Sequence, residues 1–186
     1  MPRRVRILAR RLRVPDKCAR HVRAHPPQVR PTLKRRFLET APDAIRRYWA
    51  RERPIELRPV SLQGFMAREP GEPVRHVWMR VNGGLPADQA LHRCVLAYAS
   101  DMMILDTALL AHGRSVFEES IQAASLDHAL WFHRPFDAGE WLLYSQDSPA
   151  TAGARGFTRG SVFTREGVLV ASVAQEGLIR RRDDAR

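Results

Sequence analysis

Asp101 is the first residue of this sequence whose setting suggests chemistry, because it lies within a long apolar stretch. An unpaired carboxylate in apolar surroundings is costly, so this aspartate must find hydrogen-bond donors, cap a helix or act on a substrate. Asp106 is a weaker candidate for the same role. From the residues alone, a satisfied or partly exposed polar side chain is the ordinary alternative for both.

Gln175 and Ser125 are further polar residues that could serve such a reaction. Gln175 interrupts the strand pattern that begins at Val168, just before Glu176 and Gly177. Its amide can orient a water molecule, and it can equally satisfy a backbone group. Ser125 lacks the Gly-x-Ser-x-Gly pattern of a serine nucleophile. Its default interpretation is a small core hydroxyl bonded to the backbone.

Asp127, His128 and His133 raise the question of a metal site or a catalytic pair. Asp127 and His128 would point to opposite faces of an ideal strand. The spacing of these residues does not match that of zinc ligands. Cys18 and Cys94 form neither a metal-ligand spacing nor a disulfide framework. The sequence therefore predicts no metal site.

One long helix is expected to carry Asp101. It is predicted to run from Pro86 to about Leu110, with proline in its first turn and Gly113 just after its end. Apolar residues recur at helical spacing along one stripe, which consists of Leu91, Cys94, Val95, Tyr98, Met102, Leu105 and Leu109. Because other apolar residues lie on a second face, we expect this helix to be buried.

The chain after this helix has the pattern of successive strands. Alternating side chains and turn residues predict strands at residues 121–132, 140–151, 154–164 and 168–180. A further strand at residues 76–81 precedes the helix. No second crossover helix is present to connect parallel strands, so the sheet must be largely antiparallel. One buried helix with such a sheet gives an α+β domain whose sheet wraps around the helix.

The folded domain is predicted to span residues 76–182. Residues 37–75 are interpreted as a linker with a short helix at residues 40–51 and an edge strand or extended segment at residues 53–60. Residues 1–36 form a basic leader, which is either disordered or the product of a wrong start site or a frame shift. An electrostatic tail and a targeting segment are the alternatives for this leader.

The net charge of +11 is concentrated in the leader. Residues 1–36 hold thirteen basic residues and one acidic residue, whereas residues 37–186 hold eighteen basic and nineteen acidic residues. The folded part is therefore nearly neutral, and nothing in it favours nucleic acid as a partner. No run of 18 apolar residues appears, so a membrane span is not expected. The cysteine usage favours a reducing compartment, and hence a cytoplasmic location.

Five strings of residues together resemble the type II acyl-CoA thioesterase family. They occur in the family's order with similar spacing, and the resemblance runs from about residue 53 to residue 180. The strings are AYASD at 97–101, ASLDHALWFHRPF at 124–136, EWLLYS at 140–145, ARGF at 154–157 and VASVAQEG at 170–177.

This resemblance implies a hotdog fold, in which an antiparallel sheet wraps around one central helix. It also implies hydrolysis of fatty acyl-CoA to fatty acid and CoA, with no metal and no organic cofactor. The catalytic set of the family, carried over by motif, is Asp101, Ser125 and Gln175. Asp101 would take the proton of a water molecule that Ser125 and Gln175 hold for attack on the thioester.

Members of that family carry two fused hotdog domains, and this sequence matches only the second. The resemblance therefore implies a homodimer, or pairing with another hotdog domain, around the acyl-CoA substrate. A truncated module that binds a partner without catalysis is the main alternative. A hotdog dehydratase or hydratase would need a catalytic histidine, and His92 is the only histidine inside the predicted helix.

Overall fold

The computed structural model describes residue 39, residues 41–61 and residues 69–182, so the predicted leader lies outside the described part. The elements are, in chain order, α1 Asp43–Ala50, β1 Ile55–Pro59, β2 Val74–Val81, α2 Gln89–Asp101, α3 Asp106–Leu109, a 3₁₀ turn Leu110–His112, β3 Ile121–Ser125, β4 Ala129–Phe132, β5 Leu142–Ala152, β6 Arg155–Phe163 and β7 Leu169–Arg181.

All the strand pairs in the sheet are antiparallel, as the sequence predicts. The strand order is β1-β2-β5-β6-β7-β3, and β4 also pairs with β7. β3 lies opposite residues 177–181 of β7, and β4 lies opposite residues 171–174. The two short strands thus follow one another along the same edge of β7. A break between them lies opposite Gln175 and Glu176.

The main core lies between α2 and one face of the sheet. Leu96 and Ala99 of α2 are buried against apolar side chains from five strands. Those strand residues are Ile55, Met79, Leu142, Tyr144, Val162, Val170, Ala171 and Val173. Burial of this apolar area is the dominant favourable term for the fold. The predicted α+β architecture, a sheet curled around a central helix, is confirmed.

The helix itself is shorter than predicted. α2 ends at Asp101, and the chain then turns before α3 begins at Asp106. No glycine or proline marks this interruption, so tertiary contacts must account for it. Met103 packs in a small cluster with Val77 of β2, and the carboxylate of Asp106 pairs with an arginine of the same strand. These contacts draw the chain towards the sheet.

The predicted apolar stripe of the helix is also only partly buried. Cys94 and Tyr98 are exposed, and the buried residues of α2 are His92, Leu96, Ala99 and Ser100. The sheet covers one side of α2, and the side that carries Cys94 and Tyr98 faces away from it. Helical periodicity identified the element correctly, but the expectation of a helix buried on most sides holds only for the side that faces the sheet, where Val95 and Met102 of the stripe pack against the core.

Two boundaries differ from the sequence-based expectation. Residues 55–59 form edge strand β1, which pairs with β2, so the sheet begins well before residue 76. Residues 121–132 form two strands rather than one, because residues 126–128 leave the ladder between β3 and β4. Only the second of these changes affects the candidate site.

One segment, Gln89–His112, is long and apolar enough to cross a membrane by length and composition alone. Its most apolar window is 61% buried inside the fold, as is usual for the core helix of a globular domain. This segment is therefore interpreted as the core of the sheet-wrapped domain.

Candidate active site

Three polar side chains from three separate elements meet at the C-terminal end of α2. Asp101 is the last residue of that helix, Ser125 is the last residue of β3, and Gln175 lies in β7. Gln175 Nε2 donates a hydrogen bond to Asp101 Oδ1 at 2.5 Å, and Ser125 Oγ donates to the same oxygen at 3.2 Å. The structure thus brings together all three residues that the sequence selected.

Ser125 is positioned by the end of β3 and by a glycine on the neighbouring strand. It lies directly opposite Gly177 in the ladder with β7. A Cβ atom at Gly177 would lie 2.5 Å from both methyl carbons of Leu105 and 3.1 Å from the carbonyl oxygen of Ala124. Only glycine therefore lets the chain after Asp101 pack this closely against the strand that carries Gln175.

Gln175 is fully buried, and its side chain points from β7 to the helix side of the sheet. Its backbone carbonyl accepts a hydrogen bond from Thr158 Oγ1 at 3.1 Å, which adds to the strand ladder. The side-chain oxygen, Oε1, is buried and has no hydrogen-bond partner within the described residues. A buried acceptor without a partner costs about 1–3 kcal/mol. Such groups are retained where function uses them.

Gln175 and Ser125 both donate to Asp101 itself, whereas the sequence-based hypothesis expected them to bind the attacking water. The carboxylate of Asp101 is exposed. Within residues 41–61 and 69–182 no hydrogen bond to its second oxygen, Oδ2, occurs, and no Arg, Lys or His lies within ion-pair distance. One oxygen is therefore fixed by two neutral donors, and the other, on an exposed residue, is left to bind water.

Tyr144 lies beneath the end of α2. Its hydroxyl donates to the carbonyl oxygen of Ser100 at 3.0 Å, on the peptide that precedes Asp101. Burial, and then the negative charge of Asp101, raise the pKa of Tyr144 well above its usual value of about 10. The phenol therefore stays neutral across the physiological range and acts as a fixed hydrogen-bond donor.

Asp127 and His128 are bonded to chain neighbours of Gln175 and Asp101. Asp127 Oδ1 accepts from the backbone N–H of Glu176 at 2.7 Å, and His128 Nε2 lies 3.2 Å from Ser100 Oγ. His133 Nε2 contacts Ser172 Oγ at 2.8 Å, further along the sheet. Among the described residues, no group of three or more His, Cys, Asp or Glu could hold a metal ion.

Asp106, the rival candidate, has a different environment. Its carboxylate is buried and forms an ion pair with Arg75 Nη1 at 2.6 Å. Its other oxygen accepts from Val116 N at 2.9 Å and from Ser115 Oγ at 3.3 Å. Because both oxygens are bonded and shielded from solvent, Asp106 stabilises the fold and is not placed to activate water.

His92, the histidine on which the dehydratase alternative depends, lies in the first turn of α2, with its Nδ1 3.6 Å from Asp137 Oδ1. It is buried, and its Nδ1 accepts the backbone N–H of Ala138 at 3.1 Å. The ring thus holds the turn between β4 and β5 against α2. It is engaged in the core, far from the carboxylate at the other end of the helix.

Several large apolar side chains of α2, β4 and the turn after β3 are exposed. Tyr98, one turn before Asp101 in α2, and Leu126, which follows Ser125, are each 57% exposed. Phe132 on the edge strand β4 is 37% exposed, and the Arg93 guanidinium lies over its ring at 5.8 Å. Exposed aromatic side chains next to a polar site are typical of a surface that binds a ligand or a partner.

The sequence of the chain matches known acyl-CoA thioesterases. A family model described as Acyl-CoA thioesterase matches residues 47–178. The chain is 35% identical over 150 residues to acyl-CoA thioesterase 2 of Haemophilus influenzae, which covers 80% of the chain and 52% of that protein. It is 40% identical over 152 residues to human acyl-coenzyme A thioesterase 8, which covers 81% of the chain and 46% of that protein.

Solved structures match in the same region. The acyl-CoA thioesterase II TesB2 of Mycobacterium marinum superposes with a TM-score of 0.62 at 41% identity, over 78% of this chain and 56% of that one. A protein of unknown function with a hot dog fold from Alicyclobacillus acidocaldarius shares the fold alone, with a TM-score of 0.53 at 17% identity, over 68% of this chain and 46% of that one. The chain spans about half the length of the curated relatives that it matches.

Proposed function

The chain belongs to the acyl-CoA thioesterase family, and from that premise we propose that it hydrolyses fatty acyl-CoA to the free acid and CoA, with water as the nucleophile. The observation that best supports this reaction is the pair of hydrogen bonds from Gln175 and Ser125 to one oxygen of Asp101. Two neutral donors orient the carboxylate and leave its other oxygen for water. A general base of this kind contributes about 10² to 10⁴ in rate.

In the proposed reaction, Asp101 Oδ2 accepts a proton from water while the water oxygen attacks the thioester carbonyl carbon. A carbon–oxygen bond forms and the carbonyl oxygen takes up the negative charge. When that charge returns to reform the carbonyl, the carbon–sulfur bond breaks and the CoA thiolate leaves. Protonated Asp101 then returns its proton to the sulfur, so the carboxylate is ready for another turnover.

Gln175 and Ser125 have orienting roles in this proposal. Neither side chain ionises near neutral pH, so neither takes the proton. Their hydrogen bonds fix the rotation of the Asp101 carboxylate, and correct orientation of reacting groups is worth several kcal/mol.

We propose also that a second hotdog domain completes the site. The support for this is the exposure of Asp101 and Ser125, which leaves the reacting groups open to bulk water. The exposed apolar side chains of Tyr98 and Leu126 lie close to them along the chain and would be covered by such a domain. An acyl chain needs an apolar channel, and a channel between two domains would supply it and exclude water.

The test is a thioesterase assay of the purified full chain with acyl-CoA substrates from acetyl to palmitoyl, together with light scattering coupled to size exclusion. We expect CoA thiol release from at least one of these substrates, by a species larger than a monomer. A folded assembly that releases no thiol from any substrate would contradict the catalytic proposal and favour the non-catalytic module. A stable, active monomer would contradict the pairing proposal and leave the catalytic proposal standing.

A further inference from the structure

We infer that the turn Leu126-Asp127-His128 is a clamp that positions the catalytic set, with Asp127 acting on Gln175 and His128 acting on Asp101. This inference rests on the proposed function. The turn begins directly after Ser125, so one short segment would fix the side chains of Asp101, Ser125 and Gln175 relative to one another. Neither Asp127 nor His128 reaches the reacting atoms, so both are positioning residues.

Asp127 ties the turn to the strand that carries Gln175. Its Oδ1 accepts from the backbone N–H of Glu176 at 2.7 Å. In return, the carbonyl oxygen of Glu176 accepts from the backbone N–H groups of Leu126 at 3.0 Å and of Asp127 at 3.3 Å. Three hydrogen bonds therefore converge on the residue next to Gln175, at the point where the β3–β7 ladder stops.

The location of this contact explains why it is needed. The edge of β7 is paired with β3 up to Gly177 and with β4 up to Ala174, so the ladder on that side is interrupted at Gln175 and Glu176. On the other side of β7, Gln175 and Glu176 pair regularly with β6, so the restraint is missing on this edge alone. The bonds from the turn replace the missing ladder and fix the direction in which Gln175 leaves the strand.

His128 ties the same turn to the helix end that carries Asp101. Its Nε2 lies 3.2 Å from the Oγ of Ser100, a fully buried residue. That hydroxyl donates its hydrogen to the carbonyl oxygen of Ala97 at 3.0 Å. The hydroxyl must therefore accept from the imidazole, which requires the His128 tautomer with its proton on Nε2. With Tyr144 bonded to the Ser100 carbonyl, the peptide before Asp101 is held on two sides.

Loss of Asp127 should affect the rate and the stability to different extents. Asp127 is exposed, so its loss leaves no buried cavity and removes one hydrogen bond to a backbone N–H, which costs little stability. A shift of about 1 Å in a catalytic group, by contrast, can lower the rate about 10²-fold. Loss of the clamp should therefore reduce kcat much more than it reduces stability.

The first test compares Asp127→Ala with Asp88→Ala in the full chain. Asp88 is a matched control, since its exposed carboxylate also accepts one backbone N–H, that of Ala90 at 2.8 Å, at the far end of α2. Both variants lose one hydrogen bond of the same kind. We expect kcat for palmitoyl-CoA to fall about 10- to 100-fold in Asp127→Ala, with KM within about threefold, and to change less than twofold in Asp88→Ala. Equal kcat in the two variants would overturn the inference.

Conservative and partner variants give the second test. Asp127→Asn keeps an oxygen at Oδ1 that accepts the Glu176 N–H, so it should recover most of the lost kcat. His128→Ala should lower kcat in the same way, and His128→Gln, which keeps an N–H donor at similar reach, should recover part of it. If Asp127→Asn is as slow as Asp127→Ala, the charge of Asp127 matters rather than its contact, and the clamp is the wrong explanation.

A readout independent of turnover separates failure of the clamp from failure of the proposed function. Amide hydrogen exchange at Leu126, Asp127 and Glu176 should accelerate in Asp127→Ala and stay unchanged in Asp88→Ala. This pattern is expected even if the wild-type chain hydrolyses no thioester, in which case only the proposed function fails. Unchanged exchange at all three amides in Asp127→Ala would overturn the clamp, whatever the activity of the wild type.

Discussion

Two aspartates five residues apart, Asp101 and Asp106, lie in the same apolar segment and have opposite environments. Asp101 is exposed, and the residues identified as bonded to it are two neutral donors, Gln175 and Ser125. Asp106 is buried, and it pairs with the guanidinium of Arg75 and with a backbone N–H. The first site leaves one carboxylate oxygen available to solvent, whereas the second engages both.

The comparison shows how one helix segment serves two purposes. A buried ion pair with additional hydrogen bonds stabilises a particular packing once formed, because removing either partner leaves a charge without compensation. A carboxylate that is to accept a proton needs orientation without a permanent cation. The turn between α2 and α3 separates the two aspartates, so that Asp106 faces β2 while Asp101 reaches the break in the β7 edge.

The largest expected effect is on catalysis, from Asp101→Asn. The amide keeps the shape but cannot take a proton from water, so hydrolysis of palmitoyl-CoA should fall about 10² to 10⁴-fold. Because the position is exposed, the free energy of unfolding should change by no more than about 0.5 kcal/mol. Steady-state kinetics and urea denaturation measure both quantities. Near-wild-type turnover by folded Asp101→Asn protein would remove Asp101 from the mechanism.

Asp106→Ala should show the reverse pattern. It leaves Arg75 buried without its carboxylate partner, which typically costs about 3–5 kcal/mol in the free energy of unfolding. The folded fraction should keep the wild-type kcat. The double variant Asp106→Leu with Arg75→Met removes both charges and should regain much of the lost stability. If instead Asp106→Ala remains stable and loses kcat, the assignment of the two aspartates is reversed.

Smaller effects on turnover are expected from Gln175→Ala and Ser125→Ala. Each leaves the base in place and removes one of its two orienting hydrogen bonds, so kcat should fall less than in Asp101→Asn, by about 10- to 100-fold. Gln146→Ala is the matched control for Gln175→Ala, because Gln146 is also a buried glutamine whose side chain makes one hydrogen bond. That bond is accepted from Thr107 at 2.8 Å. It should lose stability without losing kcat. A drop in kcat for Gln146→Ala as large as that for Gln175→Ala would show that the effect is general loss of packing.

The smallest expected effect is on stability, from Glu56. Its carboxylate is partly buried and so lies between the exposed Asp101 and the buried Asp106. Burial acts to raise its pKa, but hydrogen bonds from Arg58 and Arg80 outweigh burial and lower it below the usual 4.5. Because the pKa is lower in the folded state, the ionised Glu56 stabilises the protein at any pH above its unfolded-state pKa. This contribution is lost as the pH falls through the folded-state pKa. Glu56→Gln should therefore cost at most about 1 kcal/mol at pH 7. Urea denaturation should show a smaller difference in the free energy of unfolding between wild type and Glu56→Gln at pH 3 than at pH 7. The same difference at both pH values would contradict this explanation.

Most of the fold could be predicted from the sequence, because its patterns are local. Period-two alternation and turn residues located β5, β6 and β7 to within two residues of their observed ends. The absence of a second crossover helix predicted the antiparallel pairing. The early end of α2 was missed because no local breaker marks it. It depends on a contact between Asp106 and Arg75, which lie 31 positions apart in the chain.

The site was predicted less directly. Single-residue arguments ranked Asp101 first and left all three residues, Asp101, Ser125 and Gln175, with their structural alternatives. Only the resemblance between whole strings joined the three. The contacts of Asp127 and His128 were missed because a continuous strand over residues 121–132 would have pointed them to opposite faces. The break at residues 126–128 is itself a tertiary feature, made by hydrogen bonds to Glu176, and no local spacing signals it.

The central claim is that Asp101 activates water and forms no covalent bond with the acyl group. A rapid-quench reaction with enzyme in excess over palmitoyl-CoA, in H₂¹⁸O, tests it most directly. The account predicts that the acid released in the first turnover carries one ¹⁸O, that CoA and acid appear together, and that the mass of the protein does not change. A burst of CoA that leaves an acyl group on the protein, or ¹⁸O found in Asp101 after one turnover, would contradict it.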